Sequence, residues 1–253
     1  MFCDNDRLNI GIIGYGNFGK LMTYHLSKFH NIYVYDKNIN PKVKLPEKVH
    51  FTNLDKITDC KILIIAVAMG AFESVVKSIH NRLKPGTLIM EVTSVKIRPL
   101  EILEKYLSDD IEILGTHPLF GPQSTKDGIK GRKIALFPVR CSSTECIKKF
   151  LFDKLKLKIL EMSPEQHDKE MAQVQALSHF VGHAFKKINL TDYKTNTATY
   201  NHLLTARDIV ANDSDDLFNT IQNENPYASD MRNRFLDAIQ ATQEEILKCK
   251  KHL

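Results

Sequence analysis

The chain has 253 residues, of which 43% are hydrophobic and 26% are charged, enough apolar material for one large domain or two smaller ones. This composition excludes a disordered chain, a collagen and a small protein built on disulfides. The net charge is +5, but the lysines are scattered and no aromatic residues alternate with them. That distribution argues against nucleic-acid binding and favours anionic small molecules as ligands.

Three features of the sequence predict a cytoplasmic protein with no membrane partner. The longest apolar run, residues 62–70, is about half the length that a membrane-spanning helix needs. Residues 1–7 are polar and acidic, which predicts that no signal peptide is present. The five cysteines are odd in number and form no C-x-x-C pair, so we expect free thiols in a reducing compartment.

Short β-rich apolar runs alternate with helical stretches over about the first 160 residues. The predicted strands are residues 8–13, 32–35, 61–67, 87–92, 111–114, 134–139 and 157–160. Strands that alternate with helices of about 10 to 15 residues are typical of βαβ units on a largely parallel sheet. We therefore predict an α/β domain in this part of the chain.

A glycine-rich turn follows the first predicted strand and opens a helix. Residues 14–19 have the G-x-G-x-x-G spacing. In this context Gly14 permits a tight turn, Gly16 lets the backbone approach a pyrophosphate, and Gly19 allows the helix to pack closely on the strand. The helix N-terminus then faces the phosphates. The predicted dinucleotide-binding residues are Gly14, Gly16, Asn17, Phe18, Gly19 and Asp36.

Asp36 ends the second predicted strand, and its carboxylate favours NAD as the cofactor. A carboxylate there accepts hydrogen bonds from the adenosine ribose and repels a 2′-phosphate. The neighbouring Lys37 keeps NADP open, because a lysine at this point can tolerate the phosphate. A solvated acid at a strand end is the alternative interpretation of Asp36.

Beyond residue 162 the pattern becomes helical almost to the end of the chain. Ser163 and Pro164 are typical of an N-cap followed by a first helical residue. Breaks are predicted at residues 189–195, 212–216 and 225–226, and a long last helix at 228–251. Its apolar positions at helical spacing are Met231, Phe235, Ala238 and Ile246. A helical domain of this size often completes its core with a second copy, so we expect a homodimer.

Four further segments carry polar residues around this frame. They are V-T-S-V-K at 92–96, G-T-H-P-L-F-G-P at 115–122, residues 161–168, and S-H-F at 178–180. With the glycine loop they closely resemble the prephenate/arogenate dehydrogenase family of tyrosine biosynthesis, over about residues 8–250. Several stretches, Asn212-Asp213-Ser214 among them, look closer to the plant-type arogenate dehydrogenases. No appended chorismate mutase or regulatory domain is expected.

The predicted fold class is α/β, with two domains. The first is a Rossmann-type dinucleotide-binding domain, residues 1–162, and the second is an all-helical substrate and dimerisation domain, residues 163–253. The resemblance implies NAD-dependent oxidative decarboxylation of prephenate to 4-hydroxyphenylpyruvate, or of arogenate to tyrosine. Hydride leaves the carbinol carbon of the ring, the ring carboxylate departs as CO₂, and the ring aromatises.

His117 and Ser94 are the predicted catalytic residues. His117 follows a predicted strand and so lies at the carboxyl edge of the sheet, where doubly wound folds bind ligands. A neutral imidazole there can accept the hydroxyl proton near pH 7, although a histidine that only caps a turn is the alternative. Ser94 can hydrogen-bond the substrate hydroxyl and His117, or it can be the N-cap of the next helix. Lys96 is expected to be structural or solvated.

The resemblance implies a substrate-binding histidine at His179, with Gln175 one turn earlier on the same helix face. A hydrogen-bonded histidine with no ligand is the alternative. His179 and His183 are spaced to ligate zinc, but the glutamate of H-E-x-x-H and a third ligand are missing. No metal is therefore predicted.

The match to the family is weakest at the groups that would bind the substrate's charges. Arg207 stands six residues before Asp213, one more than in bacterial prephenate dehydrogenases, so it can be a carboxylate-binding cation or a solvated or ion-paired side chain. Asp213 can bind the ammonium group of arogenate or cap the following helix. Gln123 stands where the family commonly has glutamate, and it is a further candidate for substrate binding.

Two other functional classes were weighed against this one. Other two-domain dehydrogenases, such as those of 6-phosphogluconate or 3-hydroxyacids, lack the T-H-P-x-F-G-P motif and rely on a lysine in the helical domain. A non-catalytic NAD-binding sensor would not need His117, Ser94 and the glycines together. Prephenate is placed before arogenate because the broader family and the acid at Asp36 favour it.

Overall fold

The computed structural model describes residues 7–38, 45–211 and 213–250, and the chain divides into two compact units, residues 1–164 and 165–253. Within the described residues the first unit holds an eight-stranded sheet. Its strands are β1 Asn9–Ile13, β2 Asn31–Tyr35, β3 Val49–Phe51, β4 Ile62–Ile65, β5 Leu88–Glu91, β6 Glu112–Pro118, β7 Lys133–Arg140 and β8 Lys158–Glu161.

The strand order is β3-β2-β1-β4-β5-β6-β7-β8, and every neighbouring pair is parallel except β6 and β7. The order reverses between β1 and β4, and ligands of open α/β sheets bind outside the carboxyl ends of the strands at such a point. The predicted α/β class with a Rossmann-type domain is confirmed. The first unit's helices are α1 Asn17–Leu26, α2 Leu54–Ile57, α3 Met69–Ile79, α4 Ile97–Tyr106 and α5 Thr144–Asp153, with 3₁₀ turns at His80–Arg82 and Pro122–Thr125.

Helices cover both faces of the sheet, so its strands are apolar on both sides. In β4 all four residues are buried, and alternate side chains belong to two separate core clusters. One cluster includes Ile147 and Phe150 of α5, and the other includes Phe72 of α3 and Leu103 of α4. This explains why the central strands read as continuous apolar runs.

Two strands differ from the prediction. The short strand β3 was missed because its three residues include His50 and form no apolar run. Strand β6 was expected to end at Leu114 but continues to Pro118. Pairing with β7 extends it, because the polar residues Thr116 and His117 lie opposite Leu136 and Ala135.

The second unit is helical, and its first helix begins at Pro164, the last residue of the first unit. Its helices are α6 Pro164–Met171, α7 Ser178–Lys187, α8 Ala198–Ile209, α9 Asp215–Asn219 and α10 Ala228–Lys250, with π-helical segments at Ala172–Leu177 and Thr220–Glu224. The predicted breaks at 189–195 and 225–226 fall between helices. The break predicted at 212–216 includes Asn212, which lies outside the described residues, and α9 begins within it. No helix in the described ranges is long and apolar enough to cross a membrane.

The cysteines differ from the expectation of free thiols. Cys60, Cys141 and Cys249 are free, but Cys146 in α5 is disulfide-bonded. Burial raises the pKa of the Cys60 thiol to about 11, which keeps that sulfur protonated and unreactive near neutral pH.

Candidate functional site

The glycine loop between β1 and α1 is shaped by close backbone contacts. Gly14 has a φ of +105°, and its amide donates to the carbonyl of Tyr35 at 2.9 Å. A Cβ on Gly14 would lie 2.4 Å from the carbonyl oxygen of Ala66, and one on Gly19 would lie 2.2 Å from that of Gly14. Both positions therefore exclude any side chain, as predicted for the tight turn and the close helix packing.

Gly16 differs from the other two glycines because a Cβ there would meet no atom of the described residues within 4 Å. It is the N-cap of α1, and no side chain caps the first amides of that helix. Open space beside uncapped amides at a helix N-terminus fits an anionic group. Asn17 and Phe18 form the first turn, and the Phe18 ring lies 6.3 Å from that of Phe120, beyond β6.

Asp36 follows β2, and both of its carboxylate oxygens accept backbone hydrogen bonds. The amide of Tyr15 donates to Oδ2 at 2.7 Å, and the amide of Asn38 donates to Oδ1 at 2.8 Å. The carboxylate is thereby fixed beside the glycine loop, which is not the situation of a freely solvated acid. Lys37 is exposed.

Ser94 and His117 lie beyond the ends of the paired segments of two neighbouring strands, β5 and β6. The last registered pair of these strands is Glu91 with Gly115. His117 is buried, with 4% of its surface exposed, and it lies within β6 rather than in the loop that was expected. Ser94 is half-buried, and it is not the N-cap of α4, since Lys96 occupies that position.

Lys96 is neither solvated nor surface-exposed. Its side chain and that of Glu91 are both fully buried and form an ion pair. Sequence reasoning left Lys96 without a partner, although one signal was present. Glu91 is an acid inside an otherwise apolar strand, and such an acid needs a buried cation or donor nearby.

Gln123 lies in the 3₁₀ turn Pro122–Thr125 of the first unit and is exposed. Within that turn the side chain of Ser124 accepts from the amide of Gly121 at 3.0 Å. Hydrogen bonds within the turn therefore stabilise it, and the side-chain amide of Gln123 is exposed to solvent.

In the helical unit the structure brings His179 and Asp213 together. The imidazole Nδ1 lies 3.1 Å from Oδ2 of Asp213, and their side chains are only 14% and 12% exposed. The two atoms are at ion-pair distance but are not aligned for a hydrogen bond. Asp213 does not cap α9, because Ser214 does so by accepting from the amide of Leu217 at 3.2 Å.

His183 lies one turn beyond His179 and stacks on Phe218, with ring centroids 3.9 Å apart. Burial, together with the charges of His179 and Lys186, lowers the pKa of His183, so a neutral imidazole is favoured. Its Nε2 is buried without a hydrogen bond. Over the described residues, no group of three or more histidine, cysteine or acidic side chains is arranged to hold a metal ion.

Arg207 is ion-paired, which is one of the alternatives that the sequence left open, and Gln175 lies in a π-helical segment. The guanidinium of Arg207 donates to the carboxylate of Asp208 at 2.8 Å and to the carbonyl of Leu190, so an ion pair already occupies it. Gln175 is half-buried inside the π-helical segment Ala172–Leu177. Gln175 precedes His179 by four residues, which is close to one helical turn.

Comparisons with known proteins agree with this architecture. A family model described as "Prephenate dehydrogenase, nucleotide-binding domain" matches residues 23–159, and one described as "TYRAAT1-like, C-terminal domain" matches residues 184–252. The chain is 31% identical to arogenate dehydrogenase 1, chloroplastic, of Arabidopsis thaliana, covering 96% of this chain and 40% of the relative. It is 32% identical to a probable arogenate/prephenate dehydrogenase of Methanocaldococcus jannaschii, covering 74% of this chain and 44% of the relative.

The chain thus spans less than half the length of these two curated relatives. Among solved structures, prephenate dehydrogenase from A. aeolicus, in complex with hydroxyphenyl propionate and NAD+, has a similar fold, with a TM-score of 0.73 and 21% identity. That likeness covers 96% of this chain and 92% of the other. Since the nucleotide-binding family model matches more than half of the 253 residues, the chain belongs to the prephenate dehydrogenase family.

Proposed function

We propose that the protein is an NAD-dependent dehydrogenase that oxidatively decarboxylates arogenate to tyrosine, with prephenate as the alternative substrate. The observation that carries this choice is the contact between Asp213 and His179. A partly buried carboxylate that does not cap its helix is available to bind a substrate cation. Arogenate carries an ammonium group where prephenate carries a keto group. Two curated relatives that the chain matches over 96% of its length are also named arogenate dehydrogenases.

The residues of the glycine loop fit a dinucleotide. The open space at Gly16 and the amides at the start of α1 would hold the pyrophosphate, and Asp36 would accept hydrogen bonds from the adenosine ribose. When bound, the nicotinamide supplies the hydride acceptor. The carboxylate of Asp36 supports NAD over NADP because it would repel a 2′-phosphate.

In this proposal His117 is the proton acceptor and Ser94 orients the reacting hydroxyl. Three events are coupled. The hydroxyl proton passes to the imidazole of His117, the carbinol carbon loses a hydride, and the bond from the ring to its carboxylate breaks. The electrons of that bond enter the ring, which aromatises as CO₂ leaves. The contribution of the protein is orientation and proton transfer, since aromatisation supplies the driving force.

The helical unit would recognise the side chain of the substrate. Asp213 would bind the ammonium group of arogenate, and His179, at ion-pair distance from Asp213, would donate to a carboxylate. Arg207 and Gln123 remain weaker candidates, because the first is ion-paired and the second is exposed. Gln175 stays a candidate for substrate binding, because the π-helical segment that carries it leads into α7, the helix of His179.

A homodimer completes the proposal. Helix α10 exposes about half of each of four large apolar side chains, Leu236, Ile239, Ile246 and Leu247. At 100° per residue these four lie within about 100° of one another around the helix. An apolar stripe of this kind on a 23-residue helix is typical of a surface that pairs with a second copy.

The test is cofactor reduction at 340 nm with arogenate or prephenate and with NAD or NADP. We expect arogenate with NAD to give the highest kcat/KM. His117→Asn should lower kcat by roughly 10²–10⁴-fold with a smaller change in KM, which is the usual contribution of a positioned acid or base. Preference for prephenate would contradict the role of Asp213, and no reduction with either substrate would contradict the proposed activity itself.

A further inference from the structure

The strand that carries His117 extends beyond its neighbour. Strand β5 ends at Glu91, which pairs with Gly115, whereas β6 continues for three more residues to Pro118. From Thr116 onwards the edge of β6 that faces β5 therefore has no strand beside it. The ammonium group of Lys96 lies at this edge and donates to the carbonyl of Thr116 at 2.6 Å.

The ammonium group also forms an ion pair with Glu91, and neither side chain has any exposed surface. Taking two charges out of water is unfavourable, and well-packed apolar residues often serve stability as well or better. Nζ lies 5.6 Å from the centroid of the Phe137 ring. Stability alone therefore gives a poor account of why this pair is buried here.

The sheet makes room for the pair at Gly115. A Cβ on Gly115 would lie 2.9 Å from a methyl group of Leu100 and 3.1 Å from Oε1 of Glu91. Because side chains alternate along a strand, His117 points to the same face of the sheet as Gly115. The buried pair and the imidazole thus share one face, two residues apart along β6.

The other end of the pair holds the turn that carries Ser94. Oε2 of Glu91 accepts from the amide of Thr93 at 2.8 Å and lies 2.6 Å from the Thr93 hydroxyl. The hydroxyl of Thr116 donates to the backbone carbonyl of Glu91 at 2.8 Å. One buried ion pair therefore connects the residues that precede Ser94 and His117, which are Thr93 and Thr116.

We propose that Lys96 and Glu91 are positioning residues that hold His117 and Ser94 in register with each other. This inference rests on the proposed function, in which those two residues contact the reacting hydroxyl. Lys96 fixes the extended end of β6, and Glu91 fixes the turn after β5. The pair acts through backbone contacts and touches no substrate.

The test is the double variant Lys96→Met/Glu91→Gln, which removes both charges and leaves an oxygen to accept from the amide of Thr93. We expect kcat to fall by roughly 10–100-fold, with the KM for NAD changed by less than about twofold. The primary isotope effect on kcat, measured with substrate deuterated at the carbinol carbon, should increase, because misplacement slows the chemical step. The acidic limb of the kcat–pH profile should also move, because His117 must be neutral to accept the proton.

The control is Lys148→Met. Lys148 forms an ion pair with Glu161 in the same unit, away from the glycine loop and β6, so its loss should leave kcat unchanged. If the double variant does not fold, Thr93→Val provides the second test. It keeps the ion pair but removes the hydroxyl beside Glu91, and it should lower kcat by about threefold to tenfold with little change in Tm.

The imidazole of His117 gives a readout that does not depend on turnover. In NMR spectra of the full chain, the His117 Cε1–H signal should shift and broaden in the double variant, or in Thr93→Val, relative to the wild type. A wild-type protein that oxidises neither substrate would contradict the proposed function, not the positioning. A folded variant with the wild-type kcat, isotope effect, pH profile and His117 signal would overturn the positioning role.

Discussion

The three glycines of the loop are constrained by different neighbours, and this separates folding from cofactor binding at the scale of single residues. Gly14 and Gly19 are crowded by backbone atoms, whereas Gly16 faces open space. The sequence motif predicted all three as cofactor-binding residues but could not show which of them the fold itself requires. The atoms that a Cβ would meet at each glycine show which glycines the fold requires.

Gly16→Ala should therefore weaken NAD binding, whereas Gly19→Ala should lower stability. Gly16→Ala adds a methyl group that contacts no protein atom, so Tm should stay within about 1 °C while the Kd for NAD rises roughly tenfold or more. Gly19→Ala forces a methyl group against the carbonyl of Gly14 and should lower the free energy of unfolding by about 1–3 kcal/mol. Thermal unfolding and NAD titration of both variants measure this. A large loss of stability in Gly16→Ala would show that the space is not reserved for a ligand.

The titration of His30 should make the stability of the first unit depend on pH. Its Nδ1 accepts from the amide of Leu8, and burial, aided by the charge of Arg7, lowers its pKa from 6.5 to about 4. Above pH 6.5 the imidazole is neutral in both the folded and the unfolded chain. Between pH 6.5 and about 4 only the unfolded chain binds the proton, so stability must fall as the pH decreases through this window.

The variant His30→Gln keeps an acceptor but has no group that titrates there. Its Tm should fall less than that of the wild type between pH 6.5 and pH 4. Differential scanning calorimetry at several pH values measures the difference. Parallel curves for the two proteins would mean that other groups cause the acid sensitivity.

At the scale of elements, two adjacent residues in the turn between α8 and α9, Asp213 and Ser214, have different roles. Ser214 caps α9, and Asp213 contacts His179. The sequence left both roles open for Asp213, because aspartate and serine are equally good N-caps and nothing in their order decides between them. The structure decides it through the hydrogen bond from the amide of Leu217.

Asp213→Asn and Ser214→Ala form a matched pair of variants. Asp213→Asn should weaken transition-state binding of arogenate by about 1.5–3 kcal/mol and leave prephenate nearly unaffected, because only arogenate offers a cation. Ser214→Ala should lower stability by about 1 kcal/mol without changing the ratio of kcat/KM for the two substrates. Equal losses on both substrates in Asp213→Asn would remove the carboxylate from substrate recognition.

Strand β6 shows why the sequence can predict that a strand exists but not where it ends. Its apolar residues up to Leu114 predicted a strand, yet the last three residues owe their conformation to β7. That pairing joins segments about 20 residues apart and runs against the direction of the rest of the sheet. Alternating burial within one segment carries no information about it.

At the scale of the whole molecule, the sequence predicted the fold class but only part of the candidate site. The change from alternating strands to helices was visible in the composition of each segment, and so were the residues at strand ends. Contacts that join distant segments were not visible, and these include the contact of Lys96 with Thr116 and that of His179 with Asp213. Such pairs depend on three-dimensional neighbours, which local periodicity cannot identify.

The exposed stripe on α10 leads to a prediction about assembly. Ile239→Glu/Ile246→Glu should convert a homodimer into monomers, because it places two charges on each copy of the apolar stripe. Ala241→Glu adds a charge about 170° around the helix from the stripe and should leave the assembly unchanged. Sedimentation velocity measures the mass, and circular dichroism checks that both variants remain helical. A wild-type monomer at micromolar concentration would contradict the proposed dimer.

The two π-helical segments affect the orientation of the helix that carries His179. The side chain of Gln222, in the second segment, donates to the carbonyl of Ala176, in the first, at 2.7 Å, so each widened turn is stabilised by the other. A π-helical turn is in effect an α-helix with one residue inserted. Deleting that residue would restore an α-helix and leave His179 facing as it does now, whereas a change to an α-helix at constant length would rotate His179 by about 100° relative to α6. Substitutions that convert the widened turn to an α-helix, rather than single-residue deletions, are thus a direct evolutionary route to a binding surface with a new orientation.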